Sequence, residues 1–275
     1  MKNAGWLFYR QYYHWLEKPG NERFLQLASE SGKLSKDKDA LFVQESRALT
    51  DFSFDSRSKD FFPAGQHFFE LDTTYPGLLV GSGYSHQTGT MGEFKLGFFF
   101  DHTTGVPVIP GSSIKGILRS AFPNQGRKDP KTDLKYRFIQ GLLGRIRQEL
   151  THLDPNELEA LLFEGKLGED RYLPMCERDV FLDAFITATQ NDGQRLLDED
   201  YITPHESPLK NPVPVRFLKI LPGVRFRFAF DLKQHEIGGI KFGPEDKIKL
   251  FRTILLQFGA GAKTNVGYGQ FTEVN

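Results

Sequence analysis

Residues 258–271 read Phe258-Gly259-Ala260-Gly261-Ala262-Lys263-Thr264-Asn265-Val266-Gly267-Tyr268-Gly269-Gln270-Phe271. Glycines at 259, 261, 267 and 269 surround Lys263, Thr264 and Asn265, so a backbone that reaches positive φ can approach a ligand closely while polar side chains touch it. Phosphate is the ligand this chemistry expects. Upstream, Pro244-Glu245-Asp246 opens a helix with proline at its first position and acids in its first turn. Ile248, Phe251, Ile254, Leu255 and Phe258 give that helix one apolar face. Gly259 stands where a helix C-cap favours glycine. Downstream, Tyr268–Val274 reads as a short terminal strand. This helix, loop, strand order reverses that of a P-loop, and Ala262 occupies the position where such a motif has glycine before lysine. Direction and residues both exclude nucleotide hydrolysis.

The chain has 275 residues and is 39% hydrophobic, enough for a sizeable core in one elaborated domain spanning 1–275. Its 26 phenylalanines make that core aromatic. Lys+Arg 35 balances Asp+Glu 35, so no global basic field exists and nucleic acid would have to meet a local patch. The single cysteine, Cys176, excludes an internal disulfide framework and a multi-cysteine zinc site, and fits a reducing compartment. Without a charged leader or an apolar run of bilayer length, a soluble cytoplasmic protein with no membrane partner is expected.

Residues 1–60 read as an N-terminal helical extension. Its first helix, 4–17, is aromatic on more than one side, with Trp6, Phe8, Tyr9, Tyr12, Tyr13 and Trp15, and suits burial in its own domain or a partner surface. A solvated connection at 29–60 holds a short helix near Ala40–Ala48. Within 66–122, His67–Tyr75 forms a first strand, Leu78-Leu79-Val80 continues it after Pro76-Gly77, and the polar loop 81–92 carries His86. Pro110-Gly111 then turns into a helix whose N-cap is Ser112 or Ser113 and whose buried stripe is Ile114, Ile117, Leu118 and Ala121. Lys115 and Arg119, four apart, share a face. A helix start with free amides, two hydroxyls and two cations is a phosphate site.

Lys115, Arg119, Arg127, Lys128, Lys131, Lys135, Arg137, Arg145 and Arg147 oppose only Asp129 and Asp133 in this region, so local basicity survives global neutrality. The 123–175 segment reads as a helical insertion. Leu134, Phe138, Leu142, Ile146 and Leu150 have helical spacing, and Asp154-Pro155-Asn156-Glu157 starts another helix. Val180–Ala188 alternates like a strand. The 198–215 stretch runs through four prolines, which excludes a central strand or helix there. Beyond it, Val224, Phe226, Phe228, Phe230 and Leu232 face one way and Arg225 and Arg227 the other, with no acid between Val213 and Phe230. A strand that buries phenylalanine on one face and carries cations on the other suits a phosphate backbone.

Four stretches together resemble the RAMP superfamily of CRISPR systems: Asn3–Tyr9; the run from Gly77–Gly83 through Gly105–Gly116; Asp200–His205 followed by Asn211–Leu218; and Gly259–Gly269. Within it they are most like the sixth-subunit family of type III-B, or Cmr, RNA-guided effector complexes. The resemblance implies an α+β fold, a ferredoxin-like or RRM-like palm with a β-hairpin thumb and helical insertions. It implies that the glycine loop (Gly259, Gly261, Lys263, Thr264, Asn265, Gly267, Tyr268) and the Ser112, Ser113, Lys115, Arg119 helix start grip guide RNA, joined by Arg225 and Arg227. The region 198–232 would hold the thumb, with Ile202, Pro204 and His205, and the strands that follow. By the same likeness the chain caps a backbone filament in antiviral defence. Its partners would be guide RNA, target RNA, the repeated RAMP subunit, the small helical subunit and the other terminal RAMP subunit.

Catalysis is not expected, and neither a cofactor nor a metal. Seven histidines are scattered without a His-Glu-x-x-His, a paired-cysteine or a Gly-x-Ser-x-Gly motif. Asp198, Asp200, His205 and Glu206 could assemble a divalent-metal site, though acids beside prolines suit a solvated loop. The enzyme alternative is a RAMP endoribonuclease, with His86 as general acid or base, or Asp101 or Asp55 at the target strand.

Overall fold

A computed structural model of the chain describes residues 3–17, 36–62, 65–85, 92–123, 130–168, 171–203 and 214–274. The first half runs α1 (Ala4–Tyr9), α2 (Lys36–Thr50), β1 (His67–Thr73), β2 (Gly81–Ser85), β3 (Leu96–Phe98), β4 (Val108–Ile109), α3 (Gly111–Ser120) and α4 (Pro130–Ile146). Then follow α5 (Pro155–Glu164), β5 (Lys166–Leu167), β6 (Arg171–Tyr172), β7 (Val180–Phe181), β8 (Ala184–Thr189), β9 (Leu197–Ile202) and β10 (Val215–Ile220). The chain closes with β11 (Val224–Asp231), β12 (His235–Ile237), β13 (Ile240–Phe242), α6 (Pro244–Phe258) and β14 (Phe271–Glu273).

The alternation in β11 decides the sheet. Val224, Phe226, Phe228 and Phe230 are fully buried on one face, each aromatic contributing on the order of 1.5–3 kcal/mol by leaving water. On that face α6 packs Phe251 against Phe230 at 5.5 Å and Phe181 at 5.6 Å. The sheet order is β14-β1-β11-β8-β4, with β7 pairing the end of β11 and every pair antiparallel. Taken as β1, α3, β8, β11, α6, β14, this is the split β-α-β-β-α-β arrangement of a ferredoxin-like palm. The α+β palm that the resemblance implies is therefore the fold, with β4 added at the β8 edge. Helices α4 and α5 lie in the inserted segment and pack Phe138 on Phe258 and Phe163 on Phe122.

Beside the palm, β9 and β10 form a hairpin, with Ile202 opposite Val215 at its described end. Residues 198–202, expected to be irregular, are thus a strand. The prolines begin only at 204, and a two-stranded ribbon has no central position from which proline would be excluded. Pro204 and His205 lie outside the described residues, as does His86. The stretch 180–188 is two strands interrupted at Leu182–Asp183, where Leu182 N still donates to Ala229 O of β11 at 3.1 Å and the Asp183 carboxylate accepts from the amide of Gly111. The N-terminal helix breaks after Tyr9 into a 3-10 turn, Gln11–Glu17. Phe8 and Tyr12 are buried against Phe94, whereas Trp6 and Tyr9 keep exposed edges. Fully buried Arg216 joins this region to the hairpin: it bonds Gly92 O at 2.6 Å and Ser46 Oγ at 2.7 Å, pairs with Glu199, and stacks over Phe94.

Candidate nucleic-acid interface

The loop between α6 and β14 takes the backbone the glycines predict. Gly259, Gly261, Gly267 and Gly269 have φ of 68°, 82°, 96° and 72°. What these glycines approach, however, is the protein itself. A Cβ on Gly261 would overlap Leu79 O, one on Gly269 would overlap Ala260 O, and one on Gly259 would overlap Gly269 O. The segments are stitched by Ala260 N to Gly269 O at 2.8 Å, Ala262 N to Leu79 O at 2.9 Å and Gly269 N to Gly77 O at 2.8 Å. Absence of side chains lets backbones hydrogen-bond at close range. The Pro76–Leu79 segment forms the seat of the loop, where the sequence predicts only a strand resuming at Leu78 after Pro76-Gly77.

At the loop tip Lys263 sits in the left-handed region, φ 61° and ψ 32°, followed by a 3-10 turn at Thr264–Val266. Such a switch of backbone hand points successive amides to one side and makes an anion-binding concavity. No described residue accepts a hydrogen bond from the amides of Lys263, Thr264 or Asn265, and no described carboxylate pairs with Lys263. Asn265 is exposed, and Lys263 and Thr264 are half-buried. Tyr268 is buried instead. Its hydroxyl donates to Asp200 Oδ2 at 2.7 Å, its ring meets Phe217 edge-on at 5.6 Å, and burial together with the Asp200 charge pushes its pKa up. Lys219 Nζ reaches the same Asp200 oxygen at 2.6 Å, so Asp200, a sequence candidate for a metal ligand, joins β9, β10 and the loop. Among the described residues no group of three His, Cys, Asp or Glu side chains could hold a metal.

The cations of β11 are not free. Arg225 bonds Asp72 at 2.8 and 3.0 Å, and Arg227 bonds Glu70 at 2.9 Å while stacking over Phe68 at 4.4 Å. Glu70 and Asp72 stand directly opposite the two arginines on β1. The unpaired cationic face expected from one strand is therefore a row of cross-strand ion pairs, because the neighbouring strand brings an acid to each arginine. Arg119 is likewise held by Glu159 at 3.0 Å and Glu164 at 2.5 Å.

The α3 start also differs from expectation. The N-cap is Pro110, with Ser112 and Ser113 exposed in the first turn. The Gly111 amide is already occupied by Asp183 Oδ1 at 2.7 Å. Lys115 stands 5.8 Å from the Phe181 ring, beside a cavity of about 330 Å³ also lined by Ser112, Glu164 and Arg178. This start and the glycine loop do not share a groove. The loop adjoins the last residues of β1 at the β14 edge, where Thr74 N bonds Gln270 O at 3.0 Å. The α3 start follows β4 at the other edge, beside the first residues of β8. Four strand spacings, about 19 Å, separate the two edges. The cause is β4, which carries the chain back to the opposite end of the sheet before α3 begins. Arg225 lies nearer the loop, since its partner Asp72 is opposite Thr272 of β14.

Comparison with known proteins is consistent with this architecture. A model of the RAMP superfamily matches residues 70–272. The chain is similar to the CRISPR system Cmr subunit Cmr6 of Pyrococcus furiosus, 27% identical over 214 residues, which is 62% of this chain and 58% of that protein. It is also similar to Cmr6 of Saccharolobus solfataricus, 29% identical over 208 residues, covering 74% of this chain and 56% of that one. The chain thus spans less than three fifths of the length of these relatives. Among solved structures, a chain of the type III-B Cmr-β complex bound to cognate target RNA superposes with a TM-score of 0.52 at 24% identity, covering 98% of this chain and 84% of that chain. At that identity the likeness speaks for the fold.

Proposed function

Because the chain belongs to the RAMP superfamily, whose model spans residues 70–272, we propose that it is a subunit of a type III-B Cmr effector complex that holds guide RNA without cutting it. The observation that carries this reading is the loop tip, where Lys263 and three consecutive amides without a described acceptor are offered together. A phosphate supplies the acceptors those donors lack. The β9–β10 hairpin, anchored to the loop through Asp200, is the thumb in this reading, with Ile202 near its described end. Target RNA, the repeated RAMP subunit, the small helical subunit and the other terminal RAMP subunit are the partners it implies.

Support for a holding role comes from what the candidate acids already do. Asp101 Oδ1 accepts from Thr104 N and Oγ1 at 2.6 and 2.8 Å, closing its own turn. Asp55 caps a 3-10 turn and pairs with Arg57 at 2.6 Å. Each carboxylate thus has a local structural duty that accounts for its presence without catalysis.

Filter binding of single-stranded RNA to the purified chain across a salt series tests the proposal. Lys263→Ala should weaken binding and lower the slope of log K against log salt by about 0.7. Lys115→Ala, at the opposite corner of the sheet, should bind as the unmodified chain does, and the RNA should stay intact. Cleavage, or binding indifferent to both salt and Lys263, sinks the reading.

A further inference from the structure

Tyr75 is 85% exposed, the most exposed of the large hydrophobic side chains among the described residues. A solvated ring of this size is common on a loose surface loop, but this turn is tightly held. Gly77 N closes it onto Thr74 O at 2.8 Å, and Thr74 N and Oγ1 both donate to Gln270 O, at 3.0 and 3.1 Å. Gly77 O accepts from Gly269 N at 2.8 Å, and Leu78 N donates to Ile220 O at 2.9 Å. The Pro76 ring lies against Gly267, where an added Cβ would be 3.5 Å from Pro76 Cδ. Gly267 N in turn bonds Thr264 O at 3.1 Å. The backbone that carries Tyr75 is thus part of the same hydrogen-bond net as the loop tip.

We propose that Tyr75 is a stacking platform for a nucleobase of a single RNA strand whose phosphate sits on the Lys263–Asn265 amides. This deepens the function proposed above and rests on it. The chemistry selects the ligand: the tip offers amide donors and an ammonium, the adjoining turn offers an aromatic face, and Val266, 65% exposed at the end of the tip's 3-10 turn, adds apolar surface. A polynucleotide presents an anionic backbone and flat rings at adjoining points, and only an unpaired base has a free face to stack. Because the turn is fixed before binding, little ordering is required when the base docks. Stacking on a single ring tolerates every base, so the site holds position without reading sequence.

The test measures binding of a mixed-sequence single-stranded oligoribonucleotide to the full chain and to Tyr75→Ala, Tyr75→Phe and Tyr75→Trp. Tyr75→Ala should lose about tenfold in affinity, the range expected of one stacked base, with its salt slope unchanged and its thermal unfolding unaltered. Tyr75→Phe and Tyr75→Trp should bind as the original does, and the indole fluorescence of Tyr75→Trp should be quenched by RNA. If the unmodified chain binds RNA and Lys263→Ala weakens it while Tyr75→Ala does not, stacking is refuted and the proposed function stands. If the unmodified chain binds no RNA, both fall. If Tyr75→Ala keeps its RNA affinity but no longer retains another Cmr subunit, the ring belongs to a protein interface and the stacking assignment is wrong.

Discussion

Tyr268 Oη donates to Asp200 Oδ2 at 2.7 Å, an oxygen that also accepts from Lys219 Nζ at 2.6 Å. One carboxylate oxygen therefore fastens the glycine-rich loop to both strands of the neighbouring hairpin. The loop proposed to offer its amides to phosphate is thus fastened to the element proposed to act as thumb. Tyr268 serves as the fastening rather than as a contact surface, and the geometry of grip and thumb is set by one network.

That network gives an acid-dependent stability. Burial works against the charge on Asp200, but Lys219, Tyr268 and the Tyr201 amide outweigh it and hold the carboxyl below its ordinary value of 3.8. A group whose folded pKa is depressed contributes stability above its unfolded value and loses it as pH falls through the folded one. Asp200→Asn should cost about 1.5–3 kcal/mol at neutral pH, the usual worth of hydrogen bonds to a charged group. Urea unfolding below the ordinary value of 3.8 should show the original chain losing more stability than the variant relative to neutral pH. Equal losses would mean that Asp200 has no such role.

The arginines of β11 should matter for folding and not for RNA. Arg225→Leu leaves the Asp72 carboxylate, 6% exposed, without its ion-pair partner and with the Gln190 amide as its remaining donor at 2.8 Å, and a loss of about 3 kcal/mol is expected. Arg225→Leu combined with Asp72→Leu should recover most of it. RNA affinity and its salt slope should match the original in the double variant. A drop in the slope would reassign Arg225 to the binding surface.

Glycine positions should separate by what surrounds them. Gly261→Ala and Gly269→Ala meet carbonyl oxygens at positive φ, and each should destabilise by more than about 3 kcal/mol in chemical unfolding. Gly239→Ala, at φ 81° with nothing within 4 Å, carries only the backbone cost, about 1–2 kcal/mol. Similar losses at all three sites would contradict the close seating of the loop.

At the far end of the palm Lys247 is fully buried, with Nζ 2.6 Å from Asp179 Oδ2, 2.6 Å from Lys233 O and 2.8 Å from His235 Nδ1. Burial lowers its pKa from 10.5 to about 8, and the Asp179 charge resists that fall. Lys247→Met should cost about 3–5 kcal/mol, because it strands the Asp179 carboxylate in the core, whereas Lys247→Met with Asp179→Leu should be far milder. Thermal unfolding of the original chain and the two variants measures the difference.

Local regularities were legible in the sequence. Alternation at Val224, Phe226, Phe228 and Phe230 made β11, Pro244 and Gly259 bounded α6, and the glycines at 259, 261, 267 and 269 took the positive φ their spacing predicts. Each depends on residues within a turn or a strand of one another, and so is written into composition and spacing. Partnership was not legible. Arg225 meets Asp72 across 153 residues, and nothing in either strand announces its register with the other. The same holds for Asp183 on the Gly111 amide and for Leu79 beneath Gly261. The sequence by itself determined the alternating strand β11, the helix α6 and the glycine-rich loop after it, while the ferredoxin-like palm was implied by the resemblance to the RAMP superfamily. Only the tertiary structure decided which cations remain free, because a charge is neutralised by whichever neighbour the fold brings within hydrogen-bonding distance. It also decided where the helix start at Gly111 lies, since the added strand β4 sends it to the opposite corner from the loop.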